Sequence, residues 1–184
     1  MIACSFGYWL FNKEYRIAHS CNLKTTSIFT HMKKVHYQIQ IQAPLELVYQ
    51  QMLGLKDKST YEQWTALFNP TSTYEGNWEK GSKMLFIGTD EHGEKGGMVS
   101  EIAEHIPNRF VSIRHYGLMQ SGKEIIDGPE VEKWANGFEN YSFEAVDGTT
   151  EVRVDLDTVE DFVDYMNEHY PKALEKLKTI CEQR

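Results

Sequence analysis

The sequence has no paired cysteine spacing, no long apolar run and no basic surplus, and each absence removes a class of protein. Its three cysteines are Cys4, Cys21 and Cys181, an odd count in which neither zinc-type pairs nor a disulfide framework can be read, so reduced thiols and a cytoplasmic setting are expected. No stretch approaches the roughly 18 apolar residues of a spanning helix, so no membrane partner is expected. Nineteen Lys and Arg face 27 Asp and Glu, a net charge of −8, which argues against a nucleic-acid partner because phosphate binding wants a basic face. The five prolines are too few to break up a globular chain of ordinary composition, 41% apolar and 25% charged.

Charge is divided along the chain. Residues Met1 to His31 carry Lys13, Arg16 and Lys24 against Glu14, a balance of +2, and the remainder carries −10. Ile2 to Phe11 has the length of a short signal core, yet no basic residue precedes it and no small-x-small cleavage site follows. Residues 1–31 are read as a poorly ordered extension or an amphipathic arm. Residues 32–184 are read as one domain, beginning at Met32-Lys33-Lys34.

What is present is a sequence of periods. Val35, Tyr37, Ile39 and Ile41 alternate with His36, Gln38, Gln40 and Gln42, the pattern of a half-buried strand. Pro44 then opens a helix carrying Leu45, Val48, Tyr49 and Met52 up to Gly54, and a second short helix is predicted over Asp57 to Leu67. Strands are predicted over Ser72–Trp78, Lys83–Thr89, Met98–His105, Arg109–Tyr116, Phe138–Ala145 and Thr150–Asp157. Asp90 to Gly97 reads as a glycine-rich hairpin connection, and Leu118 to Glu132 as a long polar one. Thr158 offers an N-cap to a terminal helix of about 36 Å. Phe162, Met166, Tyr170, Leu174 and Leu177 lie on one stripe of it, and Pro171 interrupts its ladder. Successive strands joined by short turns form an antiparallel sheet of about six or seven strands, and the terminal helix has the stripe to cover it: an α+β domain.

Tyr74-Glu75-Gly76-Asn77-Trp78, Gly96-Gly97-Met98-Val99, Trp134, Asn140-Tyr141-Ser142-Phe143 and Tyr170-Pro171-Lys172-Ala173-Leu174 together resemble the START-like, or SRPBCC, superfamily. The branch resembled is that of the small homologues of the activator of the heat-shock-protein-90 ATPase. The resemblance covers Met32 to Arg184 and implies a helix-grip fold, a curved antiparallel sheet around a long C-terminal helix with a cavity between. It implies a binding protein for a small apolar ligand or a partner protein, with chaperone stimulation as one form of the latter. It brings no shared catalytic set, and the residues themselves give no reason to expect a cofactor or a metal.

Trp64, Trp78, Phe86, Met98, Ile113, His115, Trp134, Tyr141, Met166 and Tyr170 are the residues expected to line the interior, where bulky aromatic and methionine side chains either pack the core or border a ligand. Two of the candidates are chemical. His115 shares strand parity with Val111 and Ile113, and Glu139 with Tyr141 and Phe143, so both could turn inward and move protons in a cyclase, dehydratase or hydrolase. The alternative for His115 is a hydrogen-bonded core histidine, and for Glu139 a bulge or strand end that leaves it in solvent. His36, His92, His105 and His169 lie on separate elements without metal spacing.

Overall fold

A computed structural model describes residues 32–183. The readings of the extension 1–31, and of Cys4 and Cys21 within it, lie outside these residues. The elements run β1 (Lys33–Ile41), α1 (Leu45–Leu53), α2 (Lys58–Thr65), β2 (Thr73–Gly76), β3 (Lys83–Thr89), β4 (Lys95–Ile106), β5 (Phe110–Gln120) and β6 (Lys123–Ile125). After these come α3 (Pro129–Glu132), β7 (Gly137–Val146), β8 (Thr149–Thr158), a 3₁₀ turn (Glu160–Phe162) and α4 (Val163–Glu182). All strands belong to one antiparallel sheet ordered β1-β8-β7-β5-β4-β3-β2, with β6 paired to the far end of β5. The fold is the α+β helix-grip expected from the sequence, with eight strands.

Local chemistry places the elements. Gly54 ends α1 in the left-handed conformation (φ 66°), its N–H meeting the carbonyls of Gln50 and Gln51, and Asp57 caps α2 by accepting from the Ser59 N–H at 3.0 Å. In β8, Val152, Val154 and Leu156 are buried while Arg153 and Asp155 are exposed, and the inward residues of β1 pair with them. Helix α4 packs on β1, α1 and α2. Tyr37 of β1 stacks on Tyr170 of α4 with ring centroids 4.7 Å apart, and the Tyr37 hydroxyl donates to Asn167 Oδ1 at 3.0 Å.

Four sequence readings are corrected. The connection after β3 is shorter than Asp90 to Gly97. Asp90 Oδ1 accepts from the N–H groups of His92 and Glu94, which closes the turn early, and Gly96 and Gly97 lie inside β4 opposite Gly88 and Ile87. Leu118 to Glu132 is not a loose connection. β5 continues to Gln120, Ser121 and Gly122 both take positive φ (47° and 73°), and this two-residue turn sends β6 back along β5. Thr158 does not cap the terminal helix. It ends β8 with its hydroxyl buried and unpaired, and the chain enters α4 through the 3₁₀ turn instead. Helix α4 therefore has 20 residues, about 30 Å and shorter than predicted, with Pro171 inside it as expected.

Cys181 lies on the buried face of α4 as a free thiol, and burial pushes its pKa up to about 12. No helix among the described residues is long and apolar enough to cross a membrane.

Candidate functional site

Two β-bulges bend the β4–β5 ladder, one between Val99 and Ser100 and one between Ile102 and Glu104. The first resets the register so that Ser100 stands opposite His115, with both side chains buried. On the other side of β5, Ile113 pairs with Glu139 of β7, and strand parity turns Glu139 to the same inner face as Tyr141 and Phe143. Solvent exposure of Glu139 is 0%, which overturns the solvent alternative: it sits in the middle of a regular strand pair, with no bulge between β5 and β7 to rotate it out.

These placements build one polar centre inside the grip. The Tyr141 hydroxyl donates to Glu139 Oε1 at 2.6 Å, and the Tyr170 hydroxyl, reaching across from α4, donates to the same oxygen. His115 Nε2 lies 3.6 Å from Glu139 Oε2, just beyond hydrogen-bonding reach, while His115 Nδ1 is 2.8 Å from Ser100 Oγ. Burial pushes both tyrosine hydroxyls well above the ordinary tyrosine range, and Glu139 adds to the effect, so they remain donors. For Glu139 itself, burial opposes ionisation and His115 favours it. Because the glutamate joins a strand to the covering helix, the centre is also a tie between the two layers of the fold.

His115 carries a pH signature. Burial holds its imidazole below the ordinary value of 6.5, and Glu139 partly offsets that. The folded chain thus binds fewer protons here than the unfolded chain. The contribution to stability is complete above the unfolded value and is lost as pH falls toward and through the folded one. Thermal melts between pH 7 and pH 5 are expected to fall more steeply for the wild type than for His115→Gln. Parallel curves would remove His115 from the account.

Most of the interior residues expected from sequence fall into two groups. His115, Tyr141 and Tyr170 meet at Glu139. Trp64, Trp78 and Phe86 form an aromatic cluster with Tyr61 and Tyr74, in which Tyr61 lies edge-on to Trp64 and Tyr74 at 5.9 and 4.9 Å, and Trp78 lies 5.4 Å from Tyr74. Phe86 links the cluster to the centre, edge-on to His115 at 6.4 Å, and Met98 is its partner across the β3–β4 ladder. Trp64 Nε1 donates to the Met52 carbonyl at 2.9 Å. Ile113 and Met166 are buried, and Trp134 packs edge-on against Phe162 at the entry to α4. The sequence reading missed Ser100, which shares strand parity with the buried Met98 and Ile102, and Tyr74, while Tyr61 faces inward from α2 as its helical spacing predicts. His105 is held at both ring nitrogens, by the Tyr49 hydroxyl and the Trp78 carbonyl, which is a structural setting. Among the described residues no His, Cys, Asp and Glu side chains are grouped to hold a metal.

A sheet of this order gripping a terminal helix is a helix-grip fold. Solved structures share it over most of their length. Aha1 from Colwellia psychrerythraea, solved as a dimer, superposes with a TM-score of 0.60 at 24% identity, over 82% of this chain and 97% of that one. The protein MLL2253 from Mesorhizobium loti gives 0.58 at 14% identity, over 80% and 96%. CalU16 from Micromonospora echinospora gives 0.56 at 12%, over 82% and 75%. At these identities the likeness is one of fold. No protein-family model matches the chain, and no curated protein does.

Proposed function

We propose that the chain is a binding protein that acts by contact with a partner protein, in the manner of a co-chaperone that stimulates a heat-shock-protein-90 ATPase. The observation that supports this is the extent of the likeness to Aha1: almost the whole of that chain, 97%, is matched by the single domain described here. The interior agrees with a surface role, since Trp64, Trp78 and Phe86 already use their faces and edges on one another and on Tyr61 and Tyr74. ATP turnover by a purified chaperone of that class is expected to rise several-fold and to saturate as the chain is added. An unchanged rate, with no complex in sedimentation, would dispose of this partner.

A second reading has its own support. His115 and Glu139 converge within the grip at 3.6 Å, the geometry that proton transfer on a small ligand would need, in an enzyme of the cyclase, dehydratase or hydrolase kind. The ligand would then be bordered by Phe86, Ile113, Tyr141 and Tyr170. Native mass spectrometry of the cell-purified protein would show a bound small molecule that His115→Ala loses. A wild-type protein of bare mass would count against the reading.

A further inference from the structure

On the face of the sheet turned away from α4 lies a cleft of about 530 Å³ that the polar centre does not use. One wall is the β4–β5 turn, with Ile106, Arg109 and Phe110, and the floor includes Ser142, Glu144 and Arg153. The turn is rigid. Asn108 takes positive φ (59°), the Arg109 N–H donates to the Ile106 carbonyl at 3.0 Å, and the Arg109 carbonyl accepts from the Phe143 N–H at 2.9 Å.

The charges of this cleft are unevenly satisfied. Of the arginines among the described residues, Arg114 pairs with Glu101 at 2.6 Å, and Arg153 pairs with Glu144 at 3.1 Å and with Glu151. Arg109 has no carboxylate and no other hydrogen-bond partner for its guanidinium among the described residues, in a chain of net charge −8. Glu144 and Glu151 both pair with Arg153, so although the four charges of the lining sum to zero, Arg109 is the one of them without an ion pair among the described residues. Beside it Ile106 leaves 43% of its surface exposed, one of few large apolar side chains to do so, and Phe110 is half-buried. A planar donor fork next to an apolar wall is complementary to a carboxylate with an apolar neighbour. The volume is of the size that encloses a side chain or two.

We infer that this cleft docks a segment of a partner protein that presents one carboxylate beside a bulky apolar side chain, with Arg109 holding the carboxylate and Ile106 and Phe110 receiving the apolar group. The inference rests on the partner-protein reading and gives it a location. A polyacidic partner is disfavoured, because the chain carries a net charge of −8.

The test is an NMR titration of the full chain with three capped peptides that differ at one position, carrying Phe-Glu, Phe-Gln or Phe-Lys. The Phe-Glu peptide is expected to move the amides of Ile106, Arg109 and Phe110. Both the Phe-Gln peptide and an Arg109→Gln protein should weaken binding about tenfold or more. Arg109 is exposed, so its variant should keep the wild-type spectrum elsewhere. No shift, shifts scattered over the surface, equal binding of Phe-Glu and Phe-Gln, or binding unaffected by Arg109→Gln would each overturn the inference. So would the same resonances moving on dilution of the protein alone, since the occupant would then be a second copy of this chain. If the peptides fail while the chaperone ATPase is stimulated, the cleft is wrong and the function stands. If they dock while the ATPase is unmoved, the cleft stands and the chaperone is the wrong partner.

Discussion

Glu139→Ala is expected to lower the stability of the domain by about 3–5 kcal/mol, read from urea unfolding. The substitution strips two buried tyrosine hydroxyls of their acceptor and leaves a void between β7 and α4. Glu139→Gln keeps the shape and an acceptor oxygen, so its loss should be clearly smaller. The interaction itself is isolated by a cycle with Tyr170→Phe. A hydrogen bond from a buried hydroxyl to a carboxylate should appear as a coupling of about 1.5–3 kcal/mol. If the two changes add to within about 0.5 kcal/mol, the tie between sheet and helix is not energetic, and the polar centre loses its structural meaning.

Gly97→Ala is the second large effect. Gly97 has φ +154° and lies within β4. A methyl there would fall on the Phe86 carbonyl oxygen of the neighbouring strand, well inside contact distance, and within 3.0 Å of the Ile87 Cα. Both are backbone atoms of β3 and cannot move without breaking the ladder. The expected cost is about 3 kcal/mol or more, enough to abolish accumulation of folded protein at 37 °C in a domain of ordinary stability. Gly93→Ala is the control. It also has positive φ (80°), but it lies in the exposed turn with nothing within 4 Å, so only the conformational cost of about 1–2 kcal/mol applies. Equal effects of the two substitutions would refute the close-approach argument.

The same glycine shows where sequence reading stopped. Gly96-Gly97 has the composition of a turn, and nothing local distinguishes a glycine that bends the chain from one that lets two strands approach. That depends on Phe86, eleven residues away in sequence. Ser121-Gly122 was the opposite case. A two-residue hairpin signal was present in the sequence, and the surrounding polar residues hid it. The clear elements were those with a clean period. β1 alternates from Lys34 to Ile41 and β8 along its length, and α4 keeps its stripe from Met166 to Cys181 through Pro171. Within the site, His115, Tyr141 and Tyr170 were legible by parity and helical spacing. Glu139 was harder, because the cost of burying a carboxylate argues against an inward position unless donors wait there. Those donors come from β7 itself and from a helix 31 residues further on, a meeting that only the folded chain makes visible.

The central claim is that this domain works through its outer surface, while its polar interior holds the fold together. It is tested most directly by chaperone ATP turnover measured side by side with wild type, Glu139→Gln and Arg109→Glu, each first shown to be folded. The expected result is full stimulation by wild type and Glu139→Gln and little or none by Arg109→Glu. Loss of stimulation with Glu139→Gln and its retention with Arg109→Glu would contradict the claim and move the function into the interior.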